Sequence, residues 1–93
     1  TPALMLDGAT PNPFNPSTMI RFALAEPGRA RVQVLDARGR VVATLVDGFR
    51  EAGAHQVVWD GRDDGGTAAA TGVYFVKAQS ADEIRTRKMT LLK

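Results

Sequence analysis

The amino-acid sequence predicts an all-β domain, an immunoglobulin-like antiparallel β-sandwich of about seven strands, and three observations carry that prediction. Apolar and polar residues alternate with a period of two, most cleanly over Arg29–Asp36, as side chains do on the two faces of a strand. Clusters of Gly, Pro, Asp and Asn punctuate the chain about every eight to twelve residues, the spacing of short strands joined by turns. No stretch sustains the period of an amphipathic helix. The Cys…Trp…Cys pattern of antibody domains is missing, so the expectation concerns architecture only.

Ala3–Leu6 is a short apolar start. The stretch TPNPFNPSTMIRFAL, Thr10 to Leu24, then sets three prolines among two asparagines. Each proline fixes its own φ and pushes the residue before it toward extended conformations, so Asn12 and Asn15 are held out of the helical region. The segment reads as a stiff approach to a strand in which Ile20, Phe22 and Leu24 share one face and Arg21 takes the other. Glu26-Pro27-Gly28 makes a turn. In the next strand Ala30, Val32 and Val34 point inward and Arg29, Arg31 and Gln33 outward. Ala37-Arg38-Gly39 is a hairpin loop with glycine where φ must be positive, and Arg40–Val46 returns as a strand. Asp47–Gly53 reads as a polar connection whose one large apolar residue, Phe49, folds back onto the core edge. His55–Trp59 is a strand leading into the turn Asp60–Gly66, and the small residues Thr67–Thr71 follow. Gly72, a strand over Val73–Gln79, a turn at Ser80–Asp82 and a last strand from Ile84 to Leu92 complete the chain. It reads as one domain, 1–93, with 1–17 an extended, proline-rich lead-in from an upstream parent chain.

At 93 residues and 44% hydrophobic, the chain has material for one modest core, burying about 60–65% of its unfolded surface, with little room for a deep cleft. A binding or structural module is therefore the default expectation. The formal charge is only +2, with twelve basic residues scattered among ten acidic ones, which is not the clustered footprint of a nucleic-acid binder. The absence of cysteine excludes disulfides and zinc-thiolate sites without deciding the compartment. No apolar run approaches the ~20 residues of a membrane helix, and no signal-peptide pattern opens the sequence, so an exported domain of this kind takes its signal from a longer parent.

Candidate chemistry is sparse. Asp60, Asp63 and Asp64 invite a calcium site, but Arg62 puts a fixed positive charge where alternating ligands belong, and the segment reads as a surface turn. His55, the single histidine, has no serine or cysteine motif beside it and reads as a strand surface or edge residue. Trp59 is either a core residue, the favoured reading, or a platform on which a sugar stacks. Proline at position 16 forbids Asn15-Pro16-Ser17 as a glycosylation acceptor. Arg85, Arg87 and Lys88 read as charge that blunts an edge strand. No catalytic, cofactor or metal residues are assigned, and the domain is expected not to be an enzyme.

Pro11-Asn12-Pro13-Phe14-Asn15-Pro16, Asp36-Ala37-Arg38-Gly39-Arg40-Val41-Val42, Val58-Trp59-Asp60-Gly61, Gly72-Val73-Tyr74-Phe75 and the ending Lys88-Met89-Thr90-Leu91-Leu92-Lys93 occur in an order that resembles the C-terminal sorting domain of type IX secretion cargo, type A. The likeness runs from Leu4 to Lys93, and the same blocks occur in the immunoglobulin-like domain of the flagellar hook-capping protein. The resemblance implies a non-catalytic domain at the end of a large exported protein of a Bacteroidetes-like bacterium. Its partners would be secretion machinery proteins, a sortase-like protease and the upstream cargo domain of the same chain. No cofactor, nucleic acid or transmembrane segment is implied, and the destination is the cell surface or the medium by way of the outer membrane. Residues carried over as sorting-motif candidates are Pro11, Asn12, Pro13, Phe14, Gly39, Gly72, Tyr74, Lys88 and Lys93. The alternatives are a structural module of a hook-cap-like assembly and a carbohydrate-binding accessory module of a secreted hydrolase.

Overall fold

Alternation in the sequence becomes two packed sheets in the computed structural model, which describes residues 3–92. The strands are β1 (Leu4–Thr10), β2 (Thr18–Leu24), β3 (Gly28–Asp36), β4 (Val41–Arg50), β5 (Gly53–Trp59), β6 (Gly72–Ser80) and β7 (Glu83–Leu91). One sheet has the order β1-β2-β5 and the other β4-β3-β6-β7, with every pairing antiparallel. This is the expected all-β, immunoglobulin-like sandwich.

The inward set is the one that parity predicts: Ile20, Phe22 and Leu24 on β2, and Ala30, Val32 and Val34 on β3, are buried together with Trp59 and Tyr74. Burying an aliphatic or aromatic side chain of this size contributes about 1.5–3 kcal/mol each, which is why the period-two pattern fixes which face of each strand turns inward.

Two elements differ from the expectation. β1 runs on to Thr10, past a bulge between Leu6 and Gly8 that interrupts the period-two count at Asp7. β4 continues to Arg50, so the expected connection at Asp47–Gly53 is mostly strand, and Phe49 lies opposite Arg29 with 61% of its surface exposed instead of folding onto the core. The cause is a bulge: Ala43 and Val46 are buried, the register with β3 shifts at Leu45 and again at Val42, and each extra residue removes one step of alternation. A strict count from Ala43 would place Phe49 inward. The bulge turns it out.

Candidate functional site

Most of the residues singled out in the sequence converge at one end of the sandwich, the end at which β1 finishes and β7 finishes. Phe14 is the only apolar residue of the proline-rich loop, and its ring is buried against Trp59, with centroids 5.4 Å apart. Trp59 in turn meets the edge of Tyr74 at 5.2 Å. Both polar tips are satisfied: the Trp59 indole donates to the Arg62 carbonyl at 2.9 Å and the Tyr74 hydroxyl to the Ala70 carbonyl at 2.6 Å. Burial, and then the negative field of Asp36, raises the Tyr74 pKa, so the phenol stays a donor at neutral pH.

The loop also docks on β7 through its backbone. The Phe14 amide donates to the Thr90 carbonyl and the Leu92 amide to the Phe14 carbonyl, both at 3.0 Å. Asn12 brackets the same strand, its amide donating to the Lys88 carbonyl at 3.2 Å while its oxygen accepts from the Thr90 amide at 2.9 Å. The Thr18 hydroxyl ties down the Pro11 carbonyl at 2.8 Å. What the sequence reads as a lead-in is thus, over residues 11–17, a packed loop that covers the edge of β7 from Lys88 onward. The peptide bonds preceding Pro11, Pro13 and Pro16 are cis. Gly61, at φ +78°, completes the junction: a β-carbon there would sit 2.7 Å from the Pro16 carbonyl oxygen, so only glycine lets the turn after β5 approach the loop.

The other candidates serve their own turns. Gly39 holds φ +86° in the β3–β4 hairpin, where the Asp36 carboxylate accepts from the Arg38 and Arg40 amides and from the Arg40 guanidinium. The Arg40 amide foremost keeps the Asp36 pKa below its ordinary value. Gly72 opens β6, Lys88 stands on the outer face opposite Phe75, and Lys93 lies outside the described residues.

The acidic turn is occupied by its own backbone. Asp60 accepts from the Arg62 amide, Asp63 from the Gly65 and Thr67 amides, and Asp64 from the Thr44 amide of β4, at 2.9–3.0 Å. Among the described residues no group of three or more metal-ligating side chains converges. His55 stacks on Phe22 at 5.3 Å with its Nε2 2.7 Å from the Glu51 carbonyl, which can only accept, so that nitrogen carries a proton. Trp59 is fully buried, which takes away the platform on which the sugar-binding reading rested.

Sequence reasoning missed two features. Arg85 and Arg87 are not edge decoration: Arg87 donates to the Leu6 carbonyl at 3.0 Å across the seam between the sheets, and Arg85 pairs with Glu83, whose carboxylate accepts the Ala3 amide at 2.7 Å. Nothing in the sequence pairs Arg87 with a carbonyl 81 residues away. The second is the outer face of the four-stranded sheet, where Val41, Leu35 and Phe75 form a cross-strand row ending at Lys88. That face carries Arg29, Arg31, Lys77 and Lys88 against the single carboxylate of Asp47, so the positive charge of the molecule is concentrated there.

The candidate site is thus a surface set on a braced end of the sandwich. A family model described as the FlgD Ig-like domain matches residues 12–83. Among solved structures, FlgD from P. aeruginosa is 26% identical with a TM-score of 0.62, covering 80% of this chain and 58% of that one. FlgD from Xanthomonas campestris, whose structure is described in terms of the hook capping essential for flagellar assembly, is 25% identical with a TM-score of 0.65, covering 95% and 64%. The fold alone is shared with dimeric latent PorU from Porphyromonas gingivalis, 17% identical with a TM-score of 0.77 over 96% of this chain and 9% of that one. It is shared likewise with PorZ of the same organism, described as an essential bacterial surface component of the type IX secretion system, 23% identical with a TM-score of 0.64 over 94% and 12%. The chain therefore spans less than two thirds of each of these proteins. No curated protein matches it.

Proposed function

The chain belongs to the FlgD Ig-like domain family, and from that premise we propose that it is a non-catalytic sorting module that takes an exported parent protein through the type IX secretion machinery to the cell surface. The observation that carries the reading is the bracing of the terminal block: Asn12 and Phe14 hold β7 by four hydrogen bonds while Lys88 is left on the outer face beside Phe75. A segment held rigidly at its base with a charged tip outward is what a receptor can read at low entropic cost. The fold likeness to PorZ, described as a surface component of the type IX secretion system and matched over 94% of this chain, supports a place in that system. A second reading, a structural module of a hook-cap-like assembly, is favoured by the family match itself and by the two FlgD structures.

The two readings separate in a host with type IX machinery carrying a reporter fused upstream of the chain. The reporter is expected at the surface with the intact chain and in the periplasm after deletion of residues 88–93. Because that deletion also removes part of a strand, the double substitution Lys88→Ala with Lys93→Ala is the cleaner arm: replacing the exposed Lys88 costs less than about 0.5 kcal/mol, and melting should be unchanged while display is lost. Normal display after the whole deletion would remove the sorting reading and leave the hook-cap one.

A further inference from the structure

A two-sheet sandwich has four edge strands, and exposed edges are templates for pairing with another chain unless they are covered, bulged or charged. Three of the four are defended here. β7 is covered by the proline-rich loop over Lys88–Leu92, and its earlier part faces β1 through Glu83 and Arg87. β1 is bulged at Asp7 and tied to β7 through Arg87 and Glu83. β4 carries two bulges, and the Asp64 turn caps its Val42 carbonyl and Thr44 amide. β5 has none of these devices. Its sequence, GAHQVVW, contains no charged residue and no proline, and it pairs with β2 over seven consecutive residues without a bulge. Among the described residues, its other edge makes no backbone hydrogen bond over Ala54–Val58. Val58 is 53% exposed and Val57, facing inward, is only partly covered.

We infer that the β5 edge is a self-association surface, on which a second copy of this chain pairs antiparallel about a two-fold axis at Gln56 and joins two three-stranded sheets into one of six. The second copy is the occupant the chemistry favours. An antiparallel pairing centred on Gln56 sets His55 opposite Val57 on the inner face and Ala54 opposite Val58 on the outer face, so parity is kept on both. No like charges meet, because the strand has none. The four-stranded sheet, with four cations against one carboxylate on its outer face, repels its own copy and leaves the β5 edge as the route of approach. A seven-residue strand pair buries less than the roughly 1,200–2,000 Å² of a stable interface, so the dimer is weak and forms where copies are crowded. This inference does not depend on whether the chain sorts or scaffolds.

Sedimentation equilibrium of the 93-residue chain from roughly 10 µM to 1 mM is the test, a range that brackets weak association. The expected result is a reversible shift from monomer toward dimer. Gln56→Lys and Gln56→Glu each place two like charges on the axis and should hold the protein monomeric at every concentration with melting unchanged. An equimolar mixture of the two variants should restore the dimer. A wild-type monomer at the top of the range would overturn the inference and leave the edge to a strand of a different protein. A dimer that survives Gln56→Lys, or a mixture that stays monomeric, would overturn it as well.

Discussion

The β1/β7 side of the sandwich and the β4/β5 side close their edges by different means. On the first side, side chains and a loop reach across: Arg87 to the Leu6 carbonyl, Glu83 to the Ala3 amide, Asn12 and Phe14 to β7. On the second, β4 is bulged and partly capped and β5 is bare. Four of the five sequence blocks that gave the chain its family likeness meet at the end of the first side. Those blocks are therefore first of all mutual braces, and recognition has to use what the bracing leaves outside.

A phenylalanine stands on each side, and truncating the two should separate the sides by the widest margin. Phe14 is 2% exposed between Trp59 and β7, whereas Phe49 is 61% exposed on β4. Phe14→Ala should cost about 3–5 kcal/mol, the transfer of a buried ring plus the cavity beside Trp59. Phe49→Ala should stay within about 0.5 kcal/mol. Urea midpoints of the two variants measure this directly. Equal losses would mean that the loop is not bound to the sandwich as described.

Asn12 gives a smaller effect on the braced side. Asn12→Ala removes a donor to the Lys88 carbonyl and an acceptor from the Thr90 amide, both near enough to solvent for water to replace them, so the expected loss is about 1 kcal/mol. Amide exchange sharpens the test, since Thr90 should lose protection while Val32 and Val76 in the core keep theirs. Unchanged protection at Thr90 would show that Asn12 does not hold β7.

The braced end also marks where the sequence was legible. Inward positions such as Ile20, Phe22, Val32 and Val34 follow from parity, because burial of apolar area makes the period-two pattern a physical constraint. Phe14 did not: one apolar residue among prolines has no period to place it, and its partners on β7 are distant in sequence. Phe49 reads as part of a connection because Asp47, Gly48, Arg50 and Glu51 surround it, whereas β4 runs on through it and a bulge, which leaves no mark in the sequence, turns it outward. The motif residues could be picked out as a set, but contacts between the first block and the last are pairings of backbone groups, and every residue carries those.

The seam between β1 and β7 supplies the smallest expected effect and the one that depends on pH. The Ala3 amide foremost, then the Leu4 amide and Arg85, hold the Glu83 pKa below its ordinary value of 4.5, against a partial opposing effect of burial. Because the folded pKa lies below that of the unfolded chain, the ionised carboxylate stabilises the fold at pH above the unfolded value, and that stabilisation is lost as the pH falls through the folded value. Glu83→Gln keeps an oxygen for the Ala3 amide but removes the charge, so the variant should melt slightly below wild type at pH 7. The gap should narrow as the pH drops below about 4.5 and vanish once Glu83 is protonated. Asp36, whose pKa is also lowered, titrates in both proteins and cancels in the difference. Melting curves of the pair from neutral to acid pH measure that difference. A gap of constant size would mean that the seam responds to the shape of residue 83 and not to its charge, and the β1/β7 side would then owe its closure to Arg87 and the proline-rich loop.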